Sequence, residues 1–185
     1  MAEPSGAQWC AKFPTSKLIS DLTPDFAAKV MAFINAMEAG GVNVSISATY
    51  RPAERAYLMH WAWAVANNQA DPAAVPVMDG VDIEWLHKND AGTPDLHASI
   101  LAAHAMIAGY GMAHAAALNS RHTERLAIDM TLSWEGVASI RDAEGNERHI
   151  GAPRDGMNGS LWIVGKTYGV IKLASDPPHF SSDGH

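Results

Sequence analysis

Apolar residues recur at helical spacing after Thr23 and Pro24: Phe26, Val30, Phe33, Ile34 and Met37. A capping residue, a proline at the first helical position and the early acid Asp25 mark a start. Gly40 and Gly41 mark a stop. The spacing predicts a helix there. The period then drops to two. Val42, Val44, Ile46, Ala48 and Tyr50 alternate with Asn43, Ser45, Ser47 and Thr49, the pattern of a half-buried strand. That strand delivers Arg51 at its end. A second helix is expected from about Pro52 to Asn67, with Tyr57, Leu58, Trp61 and Val65 inward. From Asn68 to Gly92 the pattern weakens into a long loop, with a short helix expected near Ile83 to Leu86. Thr93, Pro94 and Asp95 repeat the helix-start signal. Leu96, Ile100, Ala103 and Ile107 form the expected stripe, and Gly109 the expected end.

In the second half, Leu126, Ile128, Met130 and Leu132 alternate as a strand. Ala127, Asp129 and Thr131 then point to its other face. Two short segments, Val137 to Ile140 and Glu147 to Ile150, flank Asp142 to Asn146 and read as a hairpin. A short helix is expected over Leu161 to Tyr168, closed by Gly169. Val170 to Leu173 reads as a last strand leading to Asp176. The elements mix without a regular βαβ rhythm, which predicts an α+β fold with a small antiparallel sheet and flanking helices. A chain of 185 residues suits a single domain over 1–185.

Composition narrows the function. Hydrophobic residues at 48% and charged residues at 18% describe an ordinary globular chain. A formal net charge of −7 argues against a broad nucleic-acid footprint. No run reaches the ~18 apolar residues of a membrane span, so no membrane insertion is expected. The single cysteine, Cys10, rules out an intrachain disulfide. The first residues lack a basic start followed by an apolar stretch. No secretory signal is therefore expected, and the protein is expected to be cytoplasmic when made.

The chemistry-bearing residues lie late in the chain. His122, Asp129 and His179 supply two imidazoles and a carboxylate, which can hold a zinc ion and leave its fourth position to water. Asp176, three residues before His179, is a spare carboxylate that could act as general base. His179 follows Pro177 and Pro178 and precedes Phe180, so its backbone is stiff, as suits a ligand. Each residue also has a plainer reading. Asp129 could be a solvated residue on a polar strand face, His179 a packed histidine, and Asp176 the cap of a turn before proline. Arg51 could bind a substrate carboxylate or a developing oxyanion through its planar fork, or form a surface salt bridge. Ser120 could support a ligand or substrate, or simply sit in a turn. The remaining histidines form no comparable set. There is no His-Glu-x-x-His helix, no Gly-x-Ser-x-Gly elbow and no phosphate-binding glycine loop.

Three segments together resemble a known family. Ser120, His122, Ala127 and Asp129 match the Ser-x-His-x-x-Gly-x-Ala-x-Asp motif of the zinc D-Ala-D-Ala carboxypeptidase and L-alanyl-D-glutamate peptidase family, which includes many phage endolysins. Asp176, Pro177, Pro178, His179 and Phe180 resemble its closing motif. Ser47, Tyr50 and Arg51 resemble the strand that ends in its substrate-side arginine. The motifs span about 45–180. The resemblance implies Zn2+ held by His122, Asp129 and His179, with Asp176 as base and Arg51 at the scissile carbonyl or the peptide. Ser120, Tyr50 and Ser47 would then support the site or bind substrate. The implied partner is a peptidoglycan stem peptide, met after release or non-standard export. The aspartate at 176 looks more like the endopeptidase branch, expected to cut an L-Ala–D-Glu type bond. A D-Ala-D-Ala carboxypeptidase and a non-catalytic peptidoglycan-binding module are the alternatives. Arg125 stands where the motif has glycine, and would strain the turn if that position needs positive φ. Residues 68–117 match nothing in the family pattern and are expected to be an insertion.

Overall fold

The computed structural model describes residues 2–185. Its elements, in chain order, are β1 (Glu3–Pro4), α1 (Pro24–Ala39), β2 (Asn43–Ala48), α2 (Ala53–Ala66), β3 (Ile83–Glu84), α3 (Leu96–Tyr110), β4 (Ala127–Ser133), β5 (Ala138–Arg141), β6 (Glu147–Ile150), α4 (Gly159–Thr167), β7 (Ile171–Lys172) and β8 (His179–Ser181). The fold is α+β, with four helices and small, mostly antiparallel sheets. The chain divides into two compact units. One combines the stretch ending at Pro14 with Pro52–Asn119; the other combines Thr15–Arg51 with Ser120–His185.

The second unit is built on a four-stranded antiparallel sheet, ordered β2-β4-β8-β7. Ile128, Met130 and Leu132 of β4 are buried with Phe26, Val30, Phe33, Ile34 and Met37 of α1, the stripe expected from the sequence. Hairpin β5–β6 and α4 add Ile140, Ile150, Leu161 and Val164 to the same core. Phe33 packs its ring 6.2 Å from Phe180 and 5.8 Å from Tyr168. Gly165 permits this approach, because a Cβ there would lie 3.1 Å from the Phe33 ring. The first strand is shorter than the alternation suggests. Thr49 and Tyr50 leave the sheet because their backbone pairs with Ser16 instead: the Thr49 N–H donates to the Ser16 carbonyl, and the Ser16 N–H to the Tyr50 carbonyl, both at 2.8 Å.

The other unit holds a separate core of Trp9, Tyr57, Leu58, Val65, Trp85, Ala103 and Met106. Four expectations are corrected here. Ile83 and Glu84 form a strand, not a helix. They pair in parallel with Glu3 and Pro4, whose neighbours satisfy the backbone: Glu3 and Ser5 N–H groups donate to the Asp82 and Glu84 carbonyls at 2.8 Å. Helix α3 starts later than Thr93, because the Asp95 side chain accepts the Ala98 N–H at 2.9 Å. It also runs past Gly109 to Gly111, which closes it at φ 65°. The face it buries is Ser99, Ala103 and Met106, while Leu96 is 53% exposed. Apolar residues surround most of this helix, so their period could not choose the inward side. Among the described residues, no helix is long and apolar enough to cross a membrane.

Candidate metal centre

His122, Asp129 and His179 come together within the sheet-bearing unit. Each is delivered by a different local device. Asp129 lies on β4, on the face opposite Ile128 and Met130, as the alternation predicts. Strand β8 pairs with β4 in a register that sets His179 directly across from Asp129. His122 sits in a tight turn before β4. Thr123 and Glu124 N–H groups donate to the Ser120 carbonyl, and the Leu126 N–H to the Arg121 carbonyl. The Thr123 hydroxyl closes the turn by accepting the Ser120 N–H at 3.0 Å and donating to the Ser120 carbonyl at 2.7 Å.

The three inner atoms form a nearly equilateral triangle. His122 Nε2 is 3.1 Å from Asp129 Oδ1 and 3.2 Å from His179 Nδ1, and His179 Nδ1 is 3.1 Å from Asp129 Oδ1. With metal–ligand bonds of about 2.0–2.1 Å, tetrahedral ligands lie roughly 3.3–3.4 Å apart. The triangle fits that requirement. The outer ring nitrogens settle which tautomers face inward. His122 Nδ1 donates to the Thr49 carbonyl at 2.7 Å, and His179 Nε2 donates to the His185 carbonyl at 3.1 Å. Each imidazole therefore turns a lone pair toward a carboxylate oxygen. Three acceptors facing one another repel unless a cation sits among them, and a backbone carbonyl is a usual outer partner of a metal-ligating imidazole. This half-buried group can hold a metal ion. Burial pushes the Asp129 carboxyl up; it is held well below the usual carboxylate range only when His122 and His179 are protonated, so that both donate to it and carry charge, and a metal cation among the three atoms acts in the same sense.

The outer partners are well anchored. Thr49 is fully buried, and its hydroxyl donates to the Leu18 carbonyl at 3.0 Å. The register slips between Ile46 and Ala48, a bulge at which Ser47 leaves the ladder and its hydroxyl reaches the Asp129 carbonyl at 3.3 Å. On the His179 side, the Ser181 hydroxyl accepts the Gly184 and His185 N–H groups. Arg121 pairs with Asp183, so the turn bearing His122 is tied to the segment that orients His179.

The other expected site residues fall into place unevenly. The Arg51 N–H donates to the His122 carbonyl at 3.2 Å, which joins the arginine to the ligand turn. Ser120 lies in that turn with its hydroxyl oxygen buried and without a hydrogen-bond partner among the described residues. Asp176 starts the turn into β8. Its carbonyl accepts the His179 N–H at 3.1 Å, and the residue itself is exposed. The Tyr50 ring carries the guanidinium of Arg125, 3.8 Å above its centre. Arg125 itself adopts φ 63°, the left-handed conformation that a glycine would take without cost. Stacking on Tyr50 and a 3.0 Å hydrogen bond to the Asp21 carbonyl hold it there. Beside the turn, Thr131, Met157, Pro177 and Pro178 line a groove of about 320 Å³. Gly156 keeps it tight, since a Cβ there would lie 3.2 Å from the Pro177 carbonyl oxygen.

Sequence reasoning missed Thr49, Thr123 and His185. Thr49 and His185 act through backbone carbonyls, which no residue type announces. Thr123, three residues after Ser120, carried the one readable signal, that of a hydroxyl closing a turn. The chain matches no protein-family model, no curated protein and no solved structure with which it was compared.

Proposed function

We propose that this protein is a zinc-dependent peptidase of peptidoglycan stem peptides, cutting as an L-Ala–D-Glu type endopeptidase. The observation that carries the reading is the convergence of three acceptor atoms, 3.1–3.2 Å apart, with both imidazoles backed by carbonyls. Two histidines and one carboxylate suit zinc and leave room for a fourth ligand. The motif resemblance supplies the substrate class.

Zinc, when bound, polarises a carbonyl and brings the pKa of water to about 7. The rest is the work of the chain. His122 Nε2, His179 Nδ1 and Asp129 Oδ1 would hold the ion. Asp176, exposed on the turn beside His179, takes a proton from the attacking water and passes it to the leaving amine. Arg51, tied to the ligand turn, presents a fixed positive charge to the developing oxyanion or to a stem-peptide carboxylate. The groove lined by Met130 and Pro178, the chain neighbours of Asp129 and His179, is the candidate seat for an extended peptide.

The test is mass spectrometry of purified peptidoglycan digested with the zinc-loaded protein and with its Asp176→Asn variant. New stem fragments ending at L-Ala, absent with the variant, are expected. Release of free D-Ala alone would reassign the protein as a carboxypeptidase. Intact stems with the zinc-loaded protein would refute the peptidase reading.

A further inference from the structure

Lys172 is 7% exposed, a rare place for an ammonium. The register of β7 with β8 sets it opposite Phe180, whose ring centre lies 5.2 Å from its Nζ. Three carbonyls take its hydrogens: those of Leu173, Asp176 and His179, the last at 3.1 Å. An ammonium has three N–H donors and no acceptor, so the carbonyls use all it has. The same segment is closed by its own backbone. The Leu173 N–H donates to the His179 carbonyl, the Asp176 N–H to the Leu173 carbonyl, and the His179 N–H to the Asp176 carbonyl, at 3.1–3.2 Å. The turn from Leu173 to His179 is thus wound around one buried cation. Burial pushes the ammonium down from its ordinary range, and the charges of Asp176 and Asp129 act against that.

With every donor committed to the backbone, Lys172 has none left for a substrate. We propose that Lys172 is the positioning residue of the metal centre, gathering three carbonyls so that His179 Nδ1 and the Asp176 carboxylate are in place before a ligand arrives. This rests on reading the His122, Asp129 and His179 group as a metal site. An apolar side chain at 172 would leave three carbonyls of one turn without their shared donor. The turn would loosen, and with it the triangle that His179 completes.

Co2+ binding to the full chain tests this, followed by visible absorption in competition with a chelator. Lys172→Met is expected to weaken Co2+ binding about 10–100-fold, the usual effect of losing an outer partner, and to shift the visible band. Lys172→Arg keeps the charge but spreads its donors over a planar fork, and should fall between the two. Ile140→Val thins the core at the β5–β6 hairpin, and should lower thermal stability while leaving affinity and band unchanged. Lysine variants that bind Co2+ as tightly as the wild type, with the same band, would overturn the proposal. Should the methionine variant not fold, the arginine variant decides by the same criterion. A wild-type chain that takes up no Co2+ would sink the metal reading and this proposal with it. Wild-type binding with unaffected lysine variants would sink this proposal alone.

Discussion

Asp129 and Asp142 belong to the same unit and are surrounded in opposite ways. Asp142 opens the β5–β6 turn, and its carboxylate meets only donors. It accepts the Glu144 and Asn146 N–H groups, the Asn146 side-chain amide and the Arg148 guanidinium, at 2.8–3.2 Å. Every lone pair has an answer inside the protein, as a carboxylate kept for stability should. Asp129 meets two imidazole lone pairs at 3.1 Å, an arrangement that needs a charge from outside. Carboxylates of one unit therefore divide by the polarity of their neighbours, not by burial or by element. One completes a turn and the other belongs to a group that can hold a metal ion.

Exchanging each carboxylate for an amide is the sharpest way to break the comparison. Asp129→Asn should abolish tight Zn2+ or Co2+ binding, a larger loss than the ~10–100-fold typical of an outer partner. At pH 8 with a chelator present, the same variant should melt no lower than the wild type, because the new amide can donate to an imidazole nitrogen. Calorimetric titration and thermal melts read the two effects. If metal binding survives in this variant, or if the chelated variant is strongly destabilised, the two carboxylates are alike after all.

Asp142→Asn should do the reverse, lowering the melting temperature and leaving metal binding intact. Its pH dependence carries a definite sign. Burial raises the Asp142 carboxyl, but the Asn146 donors and Arg148 more than offset this and hold it below its ordinary value. A group lowered on folding contributes stability that is present above the unfolded value of about 3.9 and lost as the pH falls through the folded one. The gap in urea midpoint between wild type and variant should be full at pH 6 and close as the pH drops below about 4. A gap that stays constant into acid would remove ionisation from the explanation.

The smallest expected effect concerns Arg125. Arg125→Gly and Arg125→Ala both lose the Tyr50 stack and the bond to the Asp21 carbonyl, but only alanine keeps the strain of φ 63°. The glycine variant should be the more stable by about 1 kcal/mol in urea unfolding. Equal stabilities would show that the left-handed turn costs this chain nothing.

The sequence made the site legible where side-chain type and period coincide. Asp129 was readable as a polar residue on a strand with a buried opposite face, and His179 as a histidine on a stiff proline-flanked segment. Arg125 was legible as an anomaly, and the left-handed turn is where the anomaly resides. The short elements were not legible. A strand of two or three residues, such as β1, β3 or β8, has no period to detect, and β1 and β3 find each other across about 80 residues of chain. Lys172 stood in an apolar run read only as a strand. Nothing in residue type tells that its ammonium turns back onto carbonyls. In α3 the apolar residues were too many, not too few, for the inward face to be chosen.

Strand β8 has a consequence for how the unit unravels. It is three residues long, yet it joins β4 to β7 and carries the ligand that lies 57 positions from His122. With a single cysteine in the chain, no sulfur bridge can span that interval. An ion shared by His122, Asp129 and His179 fastens the two ends of the loop as a disulfide would, but reversibly and under the control of pH and metal supply. Withdrawing such an ion would unlock the sheet at this three-residue strand. The carboxy-terminal segment should be the first to exchange its amide hydrogens, ahead of α1 and the core beneath it.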